Sequence, residues 1–76
     1  MAINEVVILV KDNHFGCISA IKYGDDLVIM KYDSRQPEIG INKFSFDAGL
    51  AAFNQAVKLS TQRDWQVVYS GQPLWG

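Results

Sequence analysis

The chain has 76 residues, 49% of them hydrophobic, and its seven Lys and Arg nearly balance its eight Asp and Glu. This length makes a single domain with a small margin of stability, and the hydrophobic fraction is ample for a packed core. The balanced charge argues against strong nonspecific binding of nucleic acid, and no apolar run approaches the roughly 18 residues needed to cross a membrane.

The start of the chain, MAINEVVILV, is interpreted as a first strand and not as a signal peptide. No basic segment precedes its apolar run, and Glu5 lies inside it. With one cysteine and no export signal, a reducing cytoplasm is the expected compartment.

Short apolar runs separated by turn-forming residues fill the first two thirds of the chain, which is typical of β-strands. Turn residues occur at 12–16, 24–26 and 33–37. The predicted strands span residues 3–11, 17–23, 27–32 and 39–45. The fourth is the weakest because it contains Gly40.

The hydrophobic spacing changes near residue 46. From there, four apolar residues recur at helical intervals: Phe46, Leu50, Phe53 and Val57. This spacing predicts a helix over 47–61, capped by Ser45 or Asp47, in which Gly49 permits close approach to the sheet. Residues 65–70 return to a strand pattern, and 71–76 form a short tail.

The element order β-β-β-(β)-α-β predicts an α+β fold. Successive hairpins predict an antiparallel meander of three to four strands, with one amphipathic helix packed on one face and one C-terminal strand.

Neither face of the predicted sheet is polar. The first strand alternates Val6, Ile8, Val10 with Val7, Leu9, Lys11, and the third alternates Leu27, Ile29, Lys31 with Val28, Met30, Tyr32. One helix covers one face only. The second face is therefore expected to be covered by another copy of the chain, a protein partner or a ligand, or to be buried by curling of the sheet into a half-barrel. We predict a homodimer on this basis.

Candidate catalytic groups are few, and no enzymatic activity is predicted. The only histidine, His14, lies in a turn three residues before the only cysteine, Cys17, a spacing without catalytic specificity. Asp25 and Asp26 fit turn solvation better than acid–base catalysis. Single Cys and His residues disfavour a zinc site, and no phosphate-binding glycine loop occurs, so neither a metal nor a cofactor is expected.

Lysines and aromatic residues lie together in the predicted strands: Lys11, Lys22, Lys31 and Lys43, with Tyr23, Tyr32, Trp65 and Tyr69. Proteins that bind single-stranded nucleic acid through a sheet stack bases on aromatic rings and place phosphates near ammonium groups. The same pattern also fits edge protection by lysine and the strand propensity of aromatic residues.

The segment Ile41–Phe44, followed by the amphipathic positions 48–57, resembles the end of a PUR repeat. That family places an antiparallel meander before one helix, binds single-stranded nucleic acid and dimerises through intertwined repeats. The chain differs from the family in lacking a basic excess and in having a strand after the helix. The resemblance covers roughly 17 residues, and Lys22, Lys31, Tyr23 and Tyr32 are suggested by the strand pattern and not by a shared motif.

The preferred functional hypothesis is a small non-enzymatic interaction protein of the inhibitor or adaptor type. It would bind a protein partner through its sheet surface and C-terminal aromatics, since Tyr and Trp are frequent interface anchors. Small acidic single-domain inhibitors and adaptors, including phage-encoded ones, are similar to this chain in size. The residues predicted to bind the partner are Trp65, Tyr69, Trp75, Tyr23 and Tyr32. The alternative is a dimeric protein that binds single-stranded nucleic acid through its sheet face and Lys11, Lys22, Lys31 and Lys43.

Overall fold

The computed structural model describes residues 4–36 and 38–72. Its elements in chain order are β1 (Asn4–Lys11), β2 (His14–Tyr23), β3 (Asp26–Asp33), β4 (Gly40–Ser45), α1 (Phe46–Gln62) and β5 (Gln66–Gly71). The strands form one five-stranded antiparallel sheet in the order β4-β3-β2-β1-β5. This confirms the predicted α+β fold, with its meander, its single helix and its C-terminal strand.

The first hairpin is tighter than the sequence predicts. β2 begins at His14, three residues before the predicted start, so the turn consists of Asp12 and Asn13 alone. Asp12 adopts a left-handed φ of 54°, which Asp tolerates better than most residues. Phe15 and Gly16 thereby become strand residues. The other described bounds differ from the predicted ones by at most one residue, and Ile3 and residues 73–76 lie outside the described parts of the chain.

The hydrophobic core lies between α1 and one face of the sheet. Its buried residues are Val7, Leu9, Ile18, Ala20, Leu27, Ile29 and Phe53. Phe46, Leu50 and Val57 pack against this cluster, which confirms the apolar stripe predicted for the helix. Ser45 occupies the N-cap position, but its side chain makes no capping hydrogen bond.

Gly49 sets the distance between the helix and β3. A Cβ atom at this position would lie 2.7 Å from Leu27 Cβ and 2.9 Å from Leu27 Cδ2. These distances are too short for non-bonded carbon atoms, so a side chain here would push the helix away from the sheet. The close approach predicted at Gly49 is confirmed.

The helix connects β4 at one edge of the sheet to β5 at the other and packs on β2, β3 and β4. The opposite face of the sheet stays uncovered by the described residues, and a groove remains beside the C-terminal half of the helix.

Candidate interaction surfaces

The uncovered side of the sheet is defined by strand register. Directly paired residues of antiparallel strands point to the same face, and successive residues alternate between faces. Because Val7, Ile18 and Ile29 point to the helix, their chain neighbours point away from it. We call the surface formed by these neighbours the open face. Its rows across the sheet are Gln66–Val10–Phe15, Tyr69–Ile8–Cys17–Tyr32, Gly71–Val6–Ser19–Met30–Ile41, Asn4–Ile21–Val28–Lys43 and Tyr23–Asp26–Ser45.

The open face is apolar and accessible. Phe15, Ile21 and Ile41 are 53%, 39% and 63% exposed, and Ile8 and Met30 are half-buried by their neighbours alone. The sheet therefore does not curl into the half-barrel considered from the sequence. Within the described residues, nothing covers this apolar surface.

Charge is nearly absent from the open face. Of its strand residues, only Asp26 and Lys43 are charged, and they lie near one corner of the sheet. Lys43 Nζ lies 3.4 Å from Asp26 Oδ2, so the two form an ion pair with each other. The centre, on β2, carries the small side chains of Cys17 and Ser19.

The aromatic residues predicted to bind a partner do not form one cluster. Tyr23, Tyr32 and Tyr69 belong to the open face, where Tyr32 and Tyr69 stand at opposite ends of one row and Tyr23 lies in another. The Tyr69 hydroxyl donates a hydrogen bond to the Gln72 carbonyl. Trp65 precedes β5 and packs against the core on the helix side, and Trp75 lies outside the described residues. That these four described aromatic residues bind a partner remains a prediction.

The predicted lysines are largely on the opposite side of the sheet from these tyrosines. Lys11, Lys22 and Lys31 point to the helix side, whereas Lys43 belongs to the open face. Lys22 Nζ lies 5.8 Å from the ring centroid of Phe46. The sequence already indicates that these lysines and tyrosines lie on opposite faces. Lys22 precedes Tyr23 and Lys31 precedes Tyr32, and adjacent residues of a strand point to opposite faces of the sheet. The structure therefore does not bring these lysines and tyrosines together on one binding face.

A second surface lies on the helix side, where the C-terminal half of α1 meets the ends of β1, β2 and β3. We call this groove, with a volume of about 740 Å³, the basic groove. The side chains that line it include Lys11, Lys31, Arg35, Arg63, Leu59 and Trp65. Four of the chain's seven Lys and Arg residues thus line one groove. The groove also contains the carboxylates of Asp33, Glu38 and Asp64.

Trp65 is positioned in this groove by the turn after α1 and packs beside Gly16. Its backbone N–H donates a 3.1 Å hydrogen bond to the Ser60 carbonyl, which fixes the turn after α1. Gly16 lies beside the indole: a Cβ there would be in ordinary contact with Trp65 Cζ3 at 3.5 Å, but it would crowd the Tyr32 carbonyl oxygen at 3.0 Å. The guanidinium carbon of Arg35 lies 5.2 Å from the ring centroid of Trp65, within the range of a cation–π contact.

Arg35 is held over Trp65 by the loop that follows β3. Its Nε and Nη2 donate to the Asp33 carboxylate at distances of 2.6 to 3.1 Å, and its backbone N–H donates to Asp33 Oδ1 at 2.9 Å. The loop is tied to β2 because Ser34 N–H donates to the Phe15 carbonyl and Phe15 N–H donates to Ser34 Oγ. The hydrogen bonds from the Arg35 side chain lower the pKa of Asp33 to about 2.

The sequence reasoning missed the role of Arg35, Arg63 and Leu59 in this groove. Arg35 and Trp65 are 30 positions apart, and they meet only because β5 returns to pair with β1. No periodicity or motif in the sequence indicates that pairing.

His14 and Cys17 are separated by the sheet. His14 pairs with Lys11 on the helix side, whereas Cys17 pairs with Ile8 on the open face. Burial raises the pKa of the Cys17 thiol, which keeps it in the weakly nucleophilic protonated form.

Among residues 4–36 and 38–72, no three His, Cys, Asp or Glu side chains come together as a metal-binding group. No helix in those ranges has the length and apolar character required to span a membrane.

The fold defines the class of protein as a small α+β domain with an antiparallel sheet covered by a helix on one side. Comparison with models of protein families, with curated proteins and with solved structures finds no match to this chain.

Proposed function

We propose that this protein is a small non-enzymatic interaction module that works as a homodimer, with its open face packed against the open face of a second copy. The open face carries the proposal, because it is an apolar surface that the described residues leave uncovered. Monomeric proteins rarely expose a contiguous apolar patch larger than a few hundred Å².

The size of the open face supports a second copy as its partner. The sheet has five strands of six to ten residues. With strands about 4.8 Å apart and residues about 3.3 Å apart, the face measures roughly 500 Å². Pairing two copies would remove about 1,000 Å² from water, which is the lower limit for a biological interface and typical of a weak, concentration-dependent dimer.

The chemistry of the face also favours self-association. An apolar surface without free charge fits another such surface, and a second copy supplies one of equal size. Two sheets packed face to face lie about 10 Å apart and interlock their side chains. The small residues Cys17 and Ser19 at the centre leave room for larger side chains such as Ile8 and Met30 from the other copy. Asp26 and Lys43 would lie near the rim, where charged residues are normal.

Self-association would supply stability that a short chain lacks. Residues 4–36 and 38–72 contribute seven buried hydrophobic residues to the core of one copy, and a domain of this size buries only about 60% of its unfolded surface. A second core between two sheets would add apolar burial at about 25 cal/mol per Å². The helix sides of both copies would then face outward, available to a further protein partner.

Ser19→Glu tests the proposed interface. In a single copy the new carboxylate would point into water, whereas in the dimer it would be buried at the centre of the interface without a partner. We expect the dimer dissociation constant to rise at least about a hundredfold, since each 1.4 kcal/mol is a factor of ten. Sedimentation velocity over a concentration series measures it.

Gln55→Glu is the matched control, because it changes the charge equally at an exposed position of α1. This variant should dimerise like the native protein. A native protein that sediments as a monomer at every concentration would contradict the proposal, as would a Ser19→Glu protein that dimerises normally.

A further inference from the structure

We infer that the basic groove binds a short acidic segment of a protein partner. The apolar side chains of that segment would contact Leu59 and Trp65, and its carboxylates would lie beside Lys11, Lys31 and Arg63. The inference extends the interaction function proposed above and names the chemistry of an outside partner. It does not require the dimer, because the groove lies within one copy on the helix side of the sheet.

The apolar part of the groove is suited to side chains of a peptide. Leu59 is 39% exposed, and Trp65 is half-buried beside Gly16. The volume of about 740 Å³ falls within the roughly 300 to 1,000 Å³ typical of ligand pockets. A side chain placed here would remove apolar surface of Leu59 and Trp65 from water.

The cations of the groove are available to a ligand. Arg35 is paired with Asp33, but Lys11, Lys31 and Arg63 have no ion-pair partner among residues 4–36 and 38–72. The backbone carbonyls at the end of α1 repel an anion only weakly, because they already accept hydrogen bonds. The accepting carbonyls are those of Leu59, Ser60 and Thr61, and the donors are the backbone N–H groups of Arg63, Asp64 and Trp65.

The carboxylates of the groove favour a peptide over a nucleic acid. Asp33, Glu38 and Asp64 lie among the four cations, so a continuous phosphodiester backbone would meet repulsion along part of its path. The chain as a whole carries a net charge of −1, which also opposes a polyanion. A peptide can place separate carboxylates beside the free cations and apolar residues between them.

Selection from short random peptides displayed on phage tests the inference, with the native protein and the Lys11→Glu/Lys31→Glu variant as separate targets. We expect peptides enriched in Asp, Glu and apolar residues on the native protein. They should bind the variant at least about tenfold more weakly, because two attractive charges become repulsive. Binding should also weaken with added salt.

Lys22→Glu/Lys58→Glu is the matched control, since it makes the same charge change outside the groove. It should retain the selected peptides, and Leu59→Glu should lose them. Ser19→Glu keeps the groove intact and should also retain them, so failure of the dimer and failure of the groove are distinguishable.

Three results would overturn the inference. The first is an absence of enriched peptides on the native protein, and the second is equal binding of the selected peptides to the Lys11→Glu/Lys31→Glu variant. The third is that the native protein selects no acidic peptides but binds a labelled random pool of single-stranded DNA or RNA, and the variant loses that binding. That result would assign the groove to nucleic acid instead.

Discussion

At the residue scale, the contact between Asp33 and Arg35 organises the wall of the basic groove. Arg35 joins two parts of the chain that are far apart in sequence, since its guanidinium binds Asp33 at the end of β3 and stacks on Trp65 before β5. The planar guanidinium can make both contacts at once, which a lysine ammonium cannot do as well.

The carboxyl of Asp33 should therefore titrate far below its ordinary range. Its pKa is lowered to about 2 from 3.8, principally by the side-chain hydrogen bonds from Arg35. Because the lowered pKa belongs to the folded state, the contact stabilises the fold fully above about pH 4 and is lost as the pH falls through 2. Carbon-13 NMR of the Asp33 carboxyl over pH measures the midpoint directly.

Arg35→Gln should return the Asp33 midpoint toward 3.8, and Arg35→Lys should give an intermediate value because it keeps the charge without the fork of donors. A midpoint near 3.8 in the native protein would show that the paired geometry is not populated in solution.

At the element scale, Gly49 decides how closely α1 lies on β3. Gly49→Ala should destabilise the fold by about 1 to 2 kcal/mol. A methyl group 2.7 Å from Leu27 Cβ forces overpacking that typically costs about 1 to 3 kcal/mol, against a gain of at most about 1 kcal/mol in helix propensity. Urea unfolding at one fixed protein concentration measures the difference.

Ala48→Gly supplies the comparison, because Ala48 is exposed on the same turn of the helix. It should cost about 1 kcal/mol through propensity alone. If Gly49→Ala stabilised the protein instead, propensity would outweigh packing and the close contact with Leu27 would be relieved at little cost.

The elements themselves were largely predictable from the sequence because each depends on local spacing. The helical recurrence of Phe46, Leu50 and Phe53 and the apolar character of both faces of the first strand are visible without tertiary information. The early start of β2 was missed because Asn13 and Gly16 favour a longer turn, while pairing of Phe15 with Val10 extends the strand. The basic groove was not predictable, since it depends on β5 pairing with β1.

At the scale of the whole molecule, the two sides of the sheet differ in how they are covered. One side is covered by α1 and holds the core, whereas the other is equally apolar and uncovered within the described residues. The strand pattern predicted that something covers the second face, and the neutral charge and size of the open face favour a second copy of the chain.

Dimerisation should also appear in thermal unfolding. If two folded copies associate through the open face, mass action makes the native Tm rise with protein concentration. The Tm of Ser19→Glu should be independent of concentration over the same range. Differential scanning calorimetry of both proteins measures this, and a native Tm that does not change with concentration would argue against association of the folded state.

The most direct measurement is the rate at which a thiol reagent labels Cys17 over a range of native protein concentrations. Cys17 is the only cysteine of the chain and lies at the centre of the open face, so all thiol labelling reports on that one position. We expect the rate to fall as the concentration rises, because the second copy covers the thiol. A rate that stays constant while the protein is shown to dimerise would place the interface elsewhere, and a constant rate with a monomeric mass would contradict dimerisation itself.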